Sequence, residues 1–178
     1  TVFYVNNPTT IEELYGSLEN VAALTGQDAT GLIDSLKARV EAVTSAVATA
    51  AEKPTVFYEI DGTDPAKPWT TGPGTFMDTM ITMAGGVNIG GVLSDAFAQI
   101  SVEEIVAQDP NIIILGDTLY GVTIESVAER AGWADLTAVK EGRIFAFDDN
   151  LASRPGPRLV DGLEELLKIL HPELVVTQ

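Results

Sequence analysis

The chain has 178 residues, of which 46% are hydrophobic, so it suits one domain, or one domain with an appendage, around a sizeable core. Ten basic side chains face 26 acidic ones, a formal charge of −16 that repels phosphate backbones and anionic membrane surfaces and argues against nucleic-acid binding. With no cysteine, disulfides, thiolate zinc sites and thiol nucleophiles are excluded.

The chain opens on Thr1 to Val5, which reads as a buried strand. Such an abrupt start leads us to expect further sequence upstream. No apolar run is long enough to span a membrane, and the opening residues do not read as a signal peptide. Asn6, Asn7 and Pro8 signal a turn. Thr10 with Glu13 fits a capping box, and Ile11, Leu14, Tyr15, Leu18, Val21 and Ala22 follow at helical spacing up to Thr25 and Gly26. A second helix is predicted from Asp28 or Thr30 to Glu52. Its apolar stripe runs from Leu32 to Val47, and Lys53-Pro54 stops it. At more than about 20 residues it is long for a small domain and reads as a strut of about 30 Å.

From Thr55 strands and helices alternate. Val56–Ile60 is a strand, and a loop rich in Gly, Pro and Thr follows to Thr75. Gly72-Pro73-Gly74-Thr75 is read as a tight turn with an N-cap, because it lacks the lysine and spacing of a phosphate-binding loop. A helix over Phe76–Met83 closes at Gly85-Gly86. Ser101 with Glu104 caps a short helix ending at Asp109-Pro110. Ile112–Leu115 has the texture of a strand buried on both faces. Thr123 caps a helix to about Arg130, and Trp133 is assigned to the core. Arg143–Phe147 is a strand. The last helix is predicted to start near Pro155 or Pro157, with His171 capping its end. The order implies an α/β three-layer sandwich with a mostly parallel sheet, preceded by a long helix.

In a parallel sheet, ligands sit outside the carboxyl ends of the strands, so three loops are expected to converge there. Candidate ligand contacts are Tyr58 and Glu59 at the end of their strand and Trp69 and Thr70 in the first loop. The loop from Gly116 to Val122 adds Asp117 and Tyr120, and the loop from Asp148 to Arg158 adds Asn150, Leu151 and Arg154. Aromatic faces, hydroxyls, an amide and guanidiniums suit a large, flat, partly polar ligand better than bond-breaking chemistry. A cation at a helix start opposes the helix dipole, so Arg158 is expected to pair with a carboxylate. A single histidine near the chain end offers neither a triad nor a metal site, no nucleophile elbow exists, and no cofactor is expected.

Four stretches carry a resemblance. They are Asn7-Pro8-Thr9-Thr10 running into Ile11–Leu14, and Thr71–Phe76 followed by Ala84–Asn88. The other two are Gln99–Ile105 with Asp109–Ile114, and Ser153–Arg158 with Gly162–Leu166. In this combination, over nearly the whole chain, the sequence resembles the cobalamin and ferric-siderophore class of periplasmic substrate-binding proteins of ABC importers. The resemblance implies two lobes joined by one long helix, with the ligand between them. Residues 1–27 would then be the end of the amino-terminal lobe and an entry helix, 28–53 the backbone helix, and 54–178 the carboxyl-terminal α/β lobe. It also implies an extracytoplasmic location, in the periplasm or anchored on the cell surface as a lipoprotein. The cargo would be a metal chelate (siderophore, cobalamin or heme), and the partner a membrane permease. Family members dock through an acid on each lobe; here Ser153 stands at the expected position, and Asp148 or Asp149 are the substitutes. The family's ligand aromatic in that loop is replaced by Leu151. Alternatives are a small α/β enzyme acting on an acidic or phosphorylated substrate at the same edge, and an interaction module using an apolar helix face.

Overall fold

A computed structural model describes residues 2–174. Its first helix, α1 (Ile11–Thr25), begins where Thr10 accepts a hydrogen bond from the Glu13 amide at 3.1 Å. The reciprocal half of the expected capping box goes one residue further out, because the Glu13 carboxylate takes the Thr9 amide at 2.7 Å. Gly26, in the left-handed region at φ 68°, ends the helix and lets Gln27 donate back to the Ala22 carbonyl.

The second helix, α2 (Thr30–Val47), has 18 residues, so it is shorter than expected and spans about 27 Å. It unwinds before the alanine-rich stretch reaches Glu52. Far from standing free, α2 buries Ile33 and Leu36 in a cluster with Ile11 and Tyr15 of α1 and Val160 of the last helix, α8 (Leu159–Leu170). Arg39 of α2 reinforces that seam, donating to Asp161 at 2.6 Å and to Glu164 at 2.7 and 2.8 Å.

The sheet has six strands: β1 (Thr55–Asp61), β2 (Trp69–Thr71), β3 (Val87–Asn88), β4 (Phe97–Gln99), β5 (Ile112–Leu115) and β6 (Ile144–Ala146). Their order is β4-β2-β1-β5-β6, with β3 beside the start of β1. The three pairings β1/β3, β1/β5 and β5/β6 are parallel; β1/β2 and β2/β4 are antiparallel, so the sheet is mixed with a parallel centre.

Alternation along β1 and β5 divides the core. Val56, Tyr58, Ile112 and Ile114 face one layer, filled by α3 (Phe76–Met83) and by α8 through Leu159, Leu163 and Leu166. Phe57, Ile113 and Leu115 face the other. There α4 (Val102–Gln108), α5 (Ile124–Ala128) and α6 (Thr137–Lys140) contribute Ile105, Val127 and Ala138 around a fully buried Trp133. A final short helix, α7 (Asn150–Ser153), lies between β6 and α8. The expected three-layer α/β architecture is therefore present.

Several local expectations differ. The expected first strand forms no ladder over its described residues: Val2, Phe3 and Tyr4 are 96%, 55% and 81% exposed, and Thr1 lies outside the described residues. The segment from Asp61 to Thr75, expected as a loop, contains β2, and α6 and α7 were not foreseen. Helix α8 starts at Leu159, after both prolines.

The turn into α3 is as predicted, and it is tight. Gly72 donates to the Ala96 carbonyl at 2.8 Å, and a Cβ there would lie 2.0 Å from the Asp95 carbonyl oxygen. Thr75 accepts from the Asp78 amide at 3.1 Å and donates to the Gly72 carbonyl at 3.0 Å. Thr75→Ala removes both bonds and is expected to cost about 1–2 kcal/mol, read from the midpoint of urea unfolding at unchanged slope.

Candidate functional site

A cleft of about 290 Å³ opens at the carboxyl end of β1, on the face covered by α3 and α7. Ile60 and Tyr58 form its floor, Phe76 and Phe97 supply aromatic wall, and Asn7–Thr9 of the entry segment close one side. Its polar groups are few and fixed. Thr71 and Thr75 hydrogen-bond through their hydroxyls, and the Tyr58 hydroxyl donates to Asp149 Oδ1 at 2.5 Å. Burial, followed by the carboxylates of Asp149, Asp117 and Asp148, pushes the Tyr58 phenol well above its ordinary range. It therefore stays a neutral donor that ties α7 to the sheet. An apolar hollow with a handful of oriented polar groups suits recognition of a mostly hydrophobic ligand surface.

The sequence-predicted candidates separate into four groups. Tyr58 and Asp149 line the cleft. Asn150, Arg154 and Asp148 form a chain of bonds beside it: Arg154 Nε donates to Asn150 Oδ1 at 2.5 Å, and Asn150 Nδ2 donates to Asp148 Oδ1 at 2.7 Å. Trp69, 43% exposed and paired across β4 with Gln99, and Tyr120, 87% exposed after β5, lie outside the cleft lining.

The fourth group is a correction. Glu59, Thr70 and Asp117 are at most 2% exposed and offer no surface to a ligand. Thr70 spends its hydroxyl on the Tyr58 carbonyl at 2.6 Å. Glu59 is held by Arg130, whose Nη1 and Nη2 donate to its two oxygens at 2.5 and 2.8 Å. Arg130 in turn lies 4.7 Å from the Trp133 ring centroid, and Trp133 Nε1 donates to the Pro65 carbonyl at 3.2 Å. Asp117 accepts from the Gly62 amide at 2.8 Å. These residues brace the loops after β1 and β5 from below. Leu151 likewise packs against the core. Among the described residues Arg158 has no carboxylate within ion-pairing distance, against expectation.

His171 caps α8 as predicted; it is also buried, with Nδ1 beside Glu173 at 3.1 Å and Nε2 beside the Gly85 carbonyl at 3.3 Å. Sequence reasoning missed Phe97 and Met77 as cleft residues, and it read Asn7 and Pro8 as a turn and as part of a family-like stretch but not as cleft lining.

A family model described as "Periplasmic binding protein" matches residues 1–151. The chain belongs to the periplasmic binding protein family. Within that family it is 32% identical over 177 residues to YvrC of Bacillus subtilis (strain 168), described as an uncharacterized ABC transporter substrate-binding lipoprotein. That match covers 97% of this chain and 54% of the relative. It is 30% identical over 180 residues to a cobalamin-binding protein of Halobacterium salinarum, covering 96% of this chain and 47% of the relative. The crystal structure of a possible iron-binding, periplasmic solute-binding protein from Staphylococcus epidermidis superposes with a TM-score of 0.81 at 28% identity. That superposition covers 94% of this chain and 65% of the other. The chain thus spans about half the length of the curated relatives it matches. Both of these relatives are named for binding.

Proposed function

We propose that the chain supplies the carboxyl-terminal lobe and interlobe helix of the substrate-binding component of an ABC importer. Its cargo is a metal chelate of the cobalamin, heme or ferric-siderophore type, received outside the cytoplasm and passed to a membrane permease. The observation that carries this reading is the family match over residues 1–151, most of a chain whose relatives include a cobalamin-binding protein. The geometry supports it: an aromatic, mostly apolar hollow at the carboxyl edge of the sheet is the kind of surface a large flat chelate covers.

Residues 1–27 belong, in this reading, to the end of an amino-terminal lobe and its exit, 28–53 to the connecting helix, and 54–178 to the second lobe. Phe97, Phe76 and Tyr58 contact the chelate, with Trp69, Tyr120, Asn150 and Arg154 at the rim. Exposed Asp148 is the better placed of the two candidate docking acids, because Asp149 is already engaged by Tyr58.

The test is a titration of protein containing both lobes with cyanocobalamin, hemin and a ferric siderophore, followed by calorimetry and by absorbance. One of them is expected to bind saturably at one site and to be recovered chemically unchanged. Phe97→Ala and Trp69→Ala are each expected to weaken that binding about tenfold, roughly 1.4 kcal/mol, through loss of an aromatic anchor. Failure of all three chelates to bind overturns the cargo class.

A further inference from the structure

We propose that Glu59 and Asp117 share one proton in the folded protein, forming a pH-responsive latch beneath the loops that follow β1 and β5. The inference is independent of which cargo the cleft accepts.

Gly62 joins the two carboxyls: Glu59 pairs with Leu115 across β1 and β5, and Asp117 follows two residues after Leu115, in the turn beyond the end of β5. Both flank Gly62: its amide donates to Asp117 Oδ2 at 2.8 Å, and a Cβ on it would lie 2.4 Å from Glu59 Oε1. Glu59 is 0% exposed and Asp117 2% exposed.

Among the described residues one cation meets them. Arg130, from the turn after α5, faces Glu59 and gives both of its terminal nitrogens to it. On the opposite face of β1, Tyr58 feels Asp117 together with Asp149 and Asp148, all of them acidic. With both Glu59 and Asp117 ionised, the buried cluster carries an uncompensated negative charge, which is costly away from water.

The second sign is an orphan. Asp117 Oδ1 is buried without a hydrogen-bond partner. A bridging water would satisfy that oxygen but leave the excess charge. A single proton between the carboxyls satisfies the oxygen and neutralises the cluster. Burial pushes the Glu59 carboxyl up against the pull of Arg130, and Asp117 pushes it the same way.

The sign of the pH dependence follows. A carboxyl whose folded-state affinity for its proton is raised stabilises the fold in acid, and that contribution is lost as pH rises through its folded-state titration. The amide donated by Gly62 to Asp117 and the Pro65 carbonyl held by Trp133 both lie in the loop that leads to Trp69. The pH-dependent part of the stability therefore sits beneath the loop that leads into the edge of the proposed site.

The test compares melting temperatures of the wild type, Asp117→Asn and the control Glu103→Gln, a change at an exposed acid on α4, between about pH 5 and about pH 8. An asparagine amide reproduces the protonated state, accepting from Gly62 and donating toward Glu59. The wild type and Glu103→Gln are expected to lose about 2–4 °C more than Asp117→Asn across that range. Infrared spectroscopy of the wild type is expected to show a protonated-carboxyl carbonyl band at neutral pH that Asp117→Asn lacks. An equal pH slope in Asp117→Asn and wild type, or no such band in the wild type, overturns the proposal. Should Asp117→Asn fail to fold, the wild-type spectrum alone decides.

Discussion

Arg130→Met is expected to lower the free energy of unfolding by about 3–5 kcal/mol at neutral pH, because it leaves a buried carboxylate without its counter-ion. The methionine keeps much of the side-chain length and an apolar contact with Trp133, so the effect is electrostatic more than a packing defect. Glu59 has no exposed surface to which its charge can escape. Arg130 supplies the two influences that hold the Glu59 carboxyl down, its hydrogen bonds and its charge, and without them burial and Asp117 act unopposed. The carboxyl then titrates higher still in the folded state. Its stabilising, protonated form is present in acid and lost as pH rises, so the deficit of the variant shrinks as pH falls and grows as it rises. Urea unfolding at several pH values checks both the size and the direction. A loss below about 1 kcal/mol at neutral pH, or one independent of pH, contradicts this account of the pair.

That cluster also marks where sequence reading stopped. Ile112–Leu115 was legible as a strand because four consecutive apolar residues suit a position buried on both faces, and all four are buried. Helix α8 was legible because Leu159, Leu163, Leu166 and Leu170 repeat at helical spacing on its buried side. Strands β2 and β4 were not, since three residues among turn-forming and small residues carry no period; β2 exists because β1 offers an edge to pair with, and β4 because β2 does. The opposite case is Val2–Val5, rich in strand-favouring residues yet forming no ladder, because none of the described strands pairs with it. Composition proposes a strand; a partner makes one.

The site was legible only in position. The rule that ligands gather at the carboxyl ends of parallel strands pointed to the edge where Tyr58 lines the cleft, while Asp149, expected from the resemblance as a docking acid, lines the same cleft. It did not say which way each side chain turns. On a strand buried on both faces, alternation directs Tyr58 and Glu59 into two different cores, and neither direction is solvent. Arg130 carried no signal at all: its partner lies 71 residues earlier, and a lone arginine after a short helix is ordinary. Phe97 lies among small and acidic residues that read as a loop, and only its pairing with Thr71 brings it to the cleft.

Leu36→Ala carries the second large effect, and it bears on how α2 relates to the α/β sandwich. Leu36 is 2% exposed, packed with Ile33 of its own helix, Ile11 and Tyr15 of α1 and Val160 of α8. Truncating a buried leucine at such a junction is expected to cost about 2–5 kcal/mol, the lost transfer free energy plus the cavity left behind. A strut that merely tethers two lobes would melt by itself when weakened. The geometry argues otherwise. Val43 of α2 and Leu14 of α1 belong to the same core as Val56 and Tyr58 of the sheet, and Arg39 ties α2 to two carboxylates of α8. The helix and the lobe should therefore unfold together. Helical ellipticity and the near-ultraviolet signal of Trp133, buried in the far layer of the sandwich, are expected to report one coincident transition in the wild type and in Leu36→Ala, displaced to lower denaturant in the variant. Early loss of ellipticity with the Trp133 environment intact would mean that α1 and α2 are a separable appendage. One shared transition makes them a wall of the sandwich, able to transmit a change in α1 or α2 directly to α8 and, through Leu159 and Leu163, to the floor of the cleft at Tyr58.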